Sequence, residues 1–130
     1  MIVDASALIA IVNQEPDARE LAEALERADR LSMSAASLLE ACVVADFAPD
    51  ARYGRRLDEL VRAAAVEIEP FTAEHAAIAR EAYRLFGRGS GHAAKLNLGD
   101  FFAYATAYAA GEPLLFKGGD FIHTDIKPAI

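Results

Sequence analysis

The sequence has a single cysteine, Cys42, among its 130 residues. One thiol excludes an internal disulfide, a cysteine-rich zinc site and a CxxC redox pair, so we expect a reducing compartment. Long hydrophobic runs are also lacking, because the longest uncharged apolar stretch, Phe101 to Gly111, is much shorter than a membrane-spanning helix. No basic segment of the signal-peptide kind precedes Asp4. Together these absences predict a cytoplasmic protein with no membrane segment.

Positive charge is scarce as well, with 13 Lys and Arg against 20 Asp and Glu, for a formal net charge of −7. Nonspecific affinity for nucleic acid comes from Lys and Arg that neutralise phosphates, so this balance argues against tight nonspecific binding. Only residues 52–62 and 80–95 are locally basic. Any contact with nucleic acid must therefore be local and assisted by a metal ion.

The chain alternates short apolar runs with segments of helical spacing, and 54% of its residues are hydrophobic. We predict strands at 2–3, 31–34, 66–69 and 113–116. We predict a first helix through Leu8, Ile9 and Val12, and further helices at 17–28, 36–47, 51–65, 72–86 and 98–110. The helix at 36–47 is expected to be buried, and the helix at 72–86 is expected to turn Ile78, Ala82 and Leu85 inward. Without repeats or linkers, this order predicts one α/β domain over residues 1–130, with three α/β/α layers and a short, mainly parallel central sheet.

Four acidic residues follow the predicted strands or begin the helices after them. Asp4 follows the first strand and Asp120 the last, while Glu40 and Asp100 lie in the first turns of two helices. Active sites of open parallel sheets form at the carboxyl ends of the strands, where these acids would meet. Clustered carboxylates repel one another unless a cation compensates, and oxygen ligands favour Mg²⁺ or Mn²⁺. The pattern predicts metal-assisted phosphodiester hydrolysis, in which water is the nucleophile.

The same acids also have a purely local explanation. Asp4 can cap the helix that it precedes, Ser37 and Glu40 match a capping box, and Asn97 and Asp100 match one loosely. Spacing alone leaves both readings open.

Three longer motifs add a family resemblance. Asp4-Ala5-Ser6, the run LNLGDFFAYATA and the closing run PLLFKGGDFIHTDI together resemble the PIN-domain VapC toxins of type II toxin–antitoxin systems, over nearly the whole chain. The resemblance implies a PIN-like fold, endoribonuclease activity that depends on Mg²⁺ or Mn²⁺, and a catalytic, metal-binding set formed by Asp4, Glu40, Asp100 and Asp120, with Ser6 as a hydroxyl neighbour. Relatives often carry an acid or amide at the position of Gly119, so we expect one firmly bound ion.

The resemblance also implies partners. A homodimer is expected, together with a cognate VapB-type antitoxin whose C-terminal segment wraps the toxin and presents a basic residue to the acidic pocket. Such a hetero-oligomer binds operator DNA through the antitoxin, so this chain would contact DNA only indirectly. The negative charge of the pocket makes inhibition by a basic side chain physically reasonable.

An acidic site needs nearby positive charge to admit RNA. The candidates for substrate binding are Ser6, Arg84, Arg88, His92, Lys95 and Lys117, of which the middle four flank the glycine-rich loop 87–91. An ordinary solvated surface explains these basic residues equally well. The RNA target stays open at this level.

The sequence offers other candidate residues and functions. Phe101, Phe102, Tyr104 and Tyr108 could stack on bases, but their helical spacing favours core or dimer packing. His75 and His123 lack a Ser or Cys partner in any triad motif. A phosphatase of the haloacid-dehalogenase type would need an acid two residues after Asp4, where Ser6 stands. A metal-binding module that only holds a partner protein is the remaining alternative.

Overall fold

A four-stranded parallel sheet forms the centre of the computed structural model, which describes residues 1–130. The strands are β1 (Ile2–Val3), β2 (Ser32–Ser34), β3 (Glu67–Glu69) and β4 (Leu114–Leu115). Their order in the sheet is β3-β2-β1-β4, and every neighbouring pair is parallel. The predicted α/β class and parallel sheet are confirmed.

Helices connect these strands. They are α1 (Ala5–Val12), α2 (Ala18–Arg27), α3 (Ala35–Asp46), α4 (Arg52–Ala63), α5 (Ala73–Phe86) and α6 (Leu98–Ala110), and a 3-10 turn, Phe121–His123, follows β4. Thr72 caps α5 as predicted, and Gly111 ends α6 with a positive φ of 64°. None of the helices combines the length and the apolar character needed to cross a membrane.

Neighbouring strand residues point to opposite faces of the sheet and so create two hydrophobic cores. Ile2 pairs with Leu114, and both pack into the core formed mainly by α5 and α6. Val3 pairs with Leu115, and both pack into the core formed by α1 to α4. Because side chains alternate along a strand, each two-residue strand serves both cores. This arrangement is the predicted three-layer α/β/α sandwich.

The outer side of α3 departs from the prediction of a buried helix. Only Ser37, Ala41 and Ala45 of α3 are buried, whereas Leu39 is 65% exposed and Phe47 just beyond it 86% exposed. Small side chains face the sheet because α3 lies close to its neighbours, and the larger apolar groups are left outside. An apolar composition therefore misled us about burial, as it did for Leu85 of α5, which is also exposed.

Candidate active site

A crevice opens at the edge of the sheet where the strand connections reverse direction. From β1 the chain runs through β2 to β3 on one side, and then crosses to β4 on the other side of β1. In open parallel sheets, such a reversal leaves a crevice at the carboxyl ends of the two strands. Asp4 directly follows β1, and the segment that leads to Asp120 follows β4. The sheet topology therefore brings together two acids that are far apart in sequence.

Asp4 is buried and held by its own helix. Its Oδ2 accepts hydrogen bonds from the Ser6 backbone N–H, at 3.0 Å, and from the Ser6 hydroxyl. The Ser6 Oγ in turn accepts the Lys117 backbone N–H at 3.0 Å, so one hydroxyl ties the end of β1 to the end of β4. Burial raises the pKa of Asp4, and its hydrogen bonds to Ser6 oppose that rise.

Asp100 is positioned by the N-terminus of α6. The Asn97 side chain accepts the backbone N–H groups of Gly99 and Asp100, at 2.7 and 3.2 Å, and Asp100 Oδ2 accepts the Asn97 N–H at 2.6 Å. This reciprocal capping box fixes the Asp100 side chain. Burial raises the pKa of Asp100 to about 6, with further contributions from the charges of Asp4 and Asp120, while Arg88 opposes the rise.

Glu40 reaches the same place from α3. Its carboxylate lies so close to Gly99 that a Cβ added to that glycine would overlap the Glu40 oxygens. Burial raises the pKa of Glu40, and the negative charges of Asp4 and Asp100 raise it further. Gly99 is therefore the residue that lets Glu40 approach the start of α6.

All four predicted acids line one cleft of about 260 Å³, together with Ser6, Asn97 and Lys117. We call it the acidic cleft. None of the four carboxylates forms an ion pair with Lys or Arg. No three of them stand in an arrangement that could hold one metal ion without movement of the side chains. They form an acidic cluster in which hydrogen bonds stabilise the charges of Asp4 and Asp100 alone.

The predicted basic residues are less concentrated than the acids. Of the five, only Lys117 lines the acidic cleft, and its ammonium group pairs with Glu15 and lies 3.6 Å from Asp17. Arg88 lies near enough to lower the pKa of Asp100, and its Nε donates to the Lys95 carbonyl at 3.4 Å. Lys117 and Arg88 thus lie near the acids without pairing with them.

Arg84 and His92 are occupied locally. Arg84 pairs with Glu81 at 2.6 Å on the surface of α5. His92 accepts the Ala94 N–H through Nδ1 at 3.2 Å, and its ring packs edge-on against Phe86. Neither residue touches the four acids, so any role of either in substrate binding lies outside the acidic cleft.

The local and the functional explanations of the acids prove compatible. Asp4 and Asp100 do cap their helices, and both still face the acidic cleft. The capping box expected for Ser37 and Glu40 is absent, because Ser34 is the N-cap of α3. Glu40 therefore keeps its carboxylate for the cleft, whereas the fully buried Ser37 hydroxyl has no hydrogen-bond partner.

Sequence reasoning treated Asn97 only as a loose cap and gave Gly99 no role. Asn97 contributes through its local capping box with Asp100, whereas the role of Gly99 follows from a contact with Glu40 of α3, which is distant in sequence. The signal available was the sequence Asn97-Leu98-Gly99-Asp100, in which a cap, a glycine and an acid open one helix. The histidines fit no triad, because His75 closes the capping box of α5 with Thr72.

The PIN domain family model matches residues 1–127. Ribonuclease VapC42 of Mycobacterium tuberculosis is 48% identical over 129 residues, which span 99% of this chain and 98% of the relative. Ribonuclease VapC28 of the same organism is 51% identical over 130 residues, covering 100% of this chain and 98% of the relative.

Solved structures share the fold at low sequence identity. The crystal structure of Mycobacterium tuberculosis VapC20, described as a Sarcin-Ricin loop cleaving toxin, superposes with a TM-score of 0.74 at 16% identity and covers 98% of both chains. VapBC2 from Rickettsia felis, bound to a DNA fragment from its promoter, gives a TM-score of 0.76 at 16% identity, covering 98% of this chain and 94% of that one.

Proposed function

The chain belongs to the PIN-domain family, and from that premise we propose that it is the ribonuclease toxin of a VapBC-type toxin–antitoxin pair. In this proposal Asp4, Glu40, Asp100 and Asp120 bind a divalent cation, and water attacks an RNA phosphodiester in the acidic cleft. Relatives that are 48% and 51% identical over almost the whole chain are named VapC ribonucleases, which supports the nuclease assignment.

One observation carries the proposal: four carboxylates share a cleft in which no cationic side chain pairs with them. Burial and mutual repulsion raise the pKa of Asp4, Glu40 and Asp100, so the ionised cluster costs folding free energy. Such a cost, at the crevice where the strand connections reverse direction, is expected if function requires the charges there.

The donor set suits a hard cation. It offers only oxygen ligands, and the one cysteine, Cys42, lies outside the cleft, so Mg²⁺, with Mn²⁺ as the alternative, fits better than a thiophilic metal. When bound, such an ion would activate water and neutralise charge on the phosphate. Gly119 adds no carboxylate beside Asp120, which supports one ion rather than two.

The protein's own groups would orient the site. Ser6 holds Asp4 through its hydroxyl, and Asn97 holds Asp100 through the capping box. Both contacts fix these two carboxylates in the cleft, so binding of a cation would require movement mainly of Glu40 and Asp120, whose side chains no hydrogen bond holds. Arg88, near Asp100 and without an acidic partner, would supply positive charge to an incoming RNA phosphate.

The partners follow from the same family. The names of solved neighbours include complexes of toxin with antitoxin, such as the one from Klebsiella pneumoniae, which supports a VapB-type antitoxin as partner. We propose that a basic side chain of the antitoxin neutralises the acidic cleft, that the toxin is a homodimer, and that DNA is bound only through the antitoxin.

The test is RNA cleavage by the purified chain with Mg²⁺, with Mn²⁺ and with EDTA. Asp4→Asn and Asp100→Asn should each lower the cleavage rate by more than about a hundredfold, because each removes a charged ligand. Asp58→Asn, at an exposed acid on α4, is the matched control and should cleave normally. Circular dichroism verifies that all three variants fold.

Equal cleavage by the wild type and both cleft variants would refute the four-acid mechanism. Absence of any cleavage, with antitoxin binding intact, would support the alternative of a binding module without catalysis. Activity in EDTA equal to that in Mg²⁺ would contradict metal dependence.

A further inference from the structure

A second cleft lies between α5 and α6, with a volume of about 450 Å³. We call it the aromatic cleft. Phe101, 1% exposed, forms its floor, and Phe71, Tyr83, Leu98 and Phe102 line its walls and lip. The volume is in the range of small-ligand sites, and the walls are mostly apolar. Neither the acids nor the capping residues of the acidic cleft line it.

The rings in this cleft are arranged as an open platform. Phe71 and Phe102 meet edge to face, with ring centroids 5.1 Å apart, and Tyr83 lies tilted over Phe101 at 5.3 Å. Tyr83 is 48% exposed and Leu98 is 70% exposed, so the platform is reachable from solvent. Aromatic faces that are reachable and supported from below suit stacking by a planar ring.

The charge at the rim is positive. Arg80 and Arg84 both line the aromatic cleft, and the only acid paired with either is Glu81, which contacts Arg84 at the surface. A surface ion pair of this kind contributes little free energy, so Arg84 is free to exchange Glu81 for a phosphate. The exposed apolar side of α3 differs, because α3 contains no Lys or Arg.

The aromatic cleft and the acidic cleft share no residue, but both are lined by residues at the start of α6. Leu98, on its lip, lies between Asn97 and Gly99 at the start of α6. The Tyr83 hydroxyl donates to the Arg88 carbonyl at 3.4 Å, and Arg88 carries the charge that lowers the pKa of Asp100. A chain whose phosphate enters the acidic cleft can therefore place a neighbouring residue in the aromatic cleft.

We propose that the aromatic cleft binds an unpaired nucleobase of single-stranded RNA, next to the phosphodiester held at the acidic cleft. The proposal rests on the ribonuclease function above and deepens it, because it assigns part of the substrate recognition. Proteins that select unpaired RNA stack its bases on aromatic side chains and hold its phosphates with arginine. Aromatic walls, an arginine rim and a place at the start of the helix that also carries Asp100 meet these requirements together.

The test measures RNA binding without cleavage. A fluorescein-labelled oligouridylate of about eight nucleotides, within the usual site size of single-strand binders, is titrated with the protein in Ca²⁺, a cation that oxygen ligands also bind, and electrophoresis verifies that the oligomer stays uncleaved. A ribose-phosphate oligomer of the same length without bases is the companion probe. We expect Tyr83→Leu to weaken oligouridylate binding between about fivefold and about a hundredfold, the range for loss of one stacked base. It should leave binding of the baseless oligomer unchanged.

Two controls isolate the ring. Tyr83→Phe keeps the stacking face and should bind like the wild type. Tyr108→Leu removes an equally accessible tyrosine, 54% exposed, which stacks on Tyr104 outside the aromatic cleft. It should also bind normally. Thermal unfolding of each variant verifies that its fold is intact.

The proposal is overturned if Tyr83→Leu binds oligouridylate as the wild type does, or if wild type binds both oligomers equally. It is also overturned if Tyr83→Leu dissociates a dimer in sedimentation equilibrium while RNA affinity per chain is unchanged, because a second copy would then occupy the cleft. Binding is measured on the uncleaved oligomer, so these results do not depend on catalysis. Cleavage that does not depend on the four acids would refute the proposed catalytic mechanism but would leave the base-binding proposal standing.

Discussion

The acidic cleft and the aromatic cleft share the first turn of α6 but are built differently. Backbone hydrogen bonds and helix caps hold the charges of the acidic cleft, as with Asn97 and Asp100. Side-chain packing between α5 and α6 forms the aromatic cleft, with Phe101 as its floor. The first cleft lowers stability through clustered charge, whereas the second contributes apolar burial at its base. The first turn of α6 therefore contributes both to a cleft that lowers the stability of the fold and to a cleft whose base raises it.

The largest expected effect is on stability, at the floor of the aromatic cleft. Phe101→Ala removes a fully buried ring and should lower the free energy of unfolding by about 3–5 kcal/mol. Leu98→Ala, on the exposed lip of the same cleft, should change it by no more than about 0.5 kcal/mol. Urea denaturation with a constant m-value measures both. Similar losses in the two variants would mean that lip and floor are not distinct.

The next effect concerns catalysis at the boundary between the clefts. Gly99→Ala places a methyl group on the Glu40 carboxylate and should slow RNA cleavage by about tenfold to a hundredfold, by displacing that side chain. Helix stability should not fall, because Ala is the better helix former. Gly119→Ala, where the added Cβ would meet only Ile122 at 3.5 Å, is the matched control. Equal rates in both would show that Glu40 needs no clearance at Gly99.

A smaller effect is expected in the pH dependence of the metal-free protein. The pKa of Asp100 is about 6 in the folded state and 3.8 for the free side chain, so the native state binds more protons between these values. Stability is therefore highest below about pH 4 on this account and falls as pH rises through 6, by on the order of 1 kcal/mol after solvent screening.

Chemical denaturation at pH 4.5 and at pH 7 in EDTA measures this difference. Asp100→Asn should reduce it, whereas Asp58→Asn should leave it intact. Added Mg²⁺ should raise the unfolding midpoint more at pH 7 than at pH 4.5, because a cation competes with protons for the carboxylates. A midpoint insensitive to Mg²⁺ at both values would contradict a cation site among the acids.

The smallest effect separates two basic residues near the acidic cleft. Lys117 is already neutralised by Glu15 and Asp17, whereas Arg88 faces Asp100 without an acidic hydrogen-bond partner. Arg88→Met should weaken RNA binding by a few-fold. It should also reduce the slope of log affinity against log salt concentration by the contribution of about one phosphate contact. Lys117→Met should change affinity by less than about twofold. The reverse order would place the phosphate contact at Lys117.

Much of the fold was predictable because each element has a local signal. The periodicity of α6, the Thr72 cap and the apolar pairs Ile2-Val3 and Leu114-Leu115 all indicated their elements correctly. The four acids were predicted partly because they follow strands, and partly because their motifs resemble a known family. The burial of α3 was predicted wrongly, since hydrophobic composition does not tell which side of a helix its neighbours cover.

The sequence by itself determined which residues begin the helices, which strands are apolar on both faces, and which acids stand at their ends. These features depend on contacts within a few residues, such as Asp4 with Ser6 and Asn97 with Asp100. Only the tertiary structure decided that Glu40 lies against Gly99, that Lys117 turns to Glu15, and that an aromatic cleft opens beside the acids. Those outcomes depend on how α3, α5 and α6 pack across long sequence separations, which no local pattern encodes.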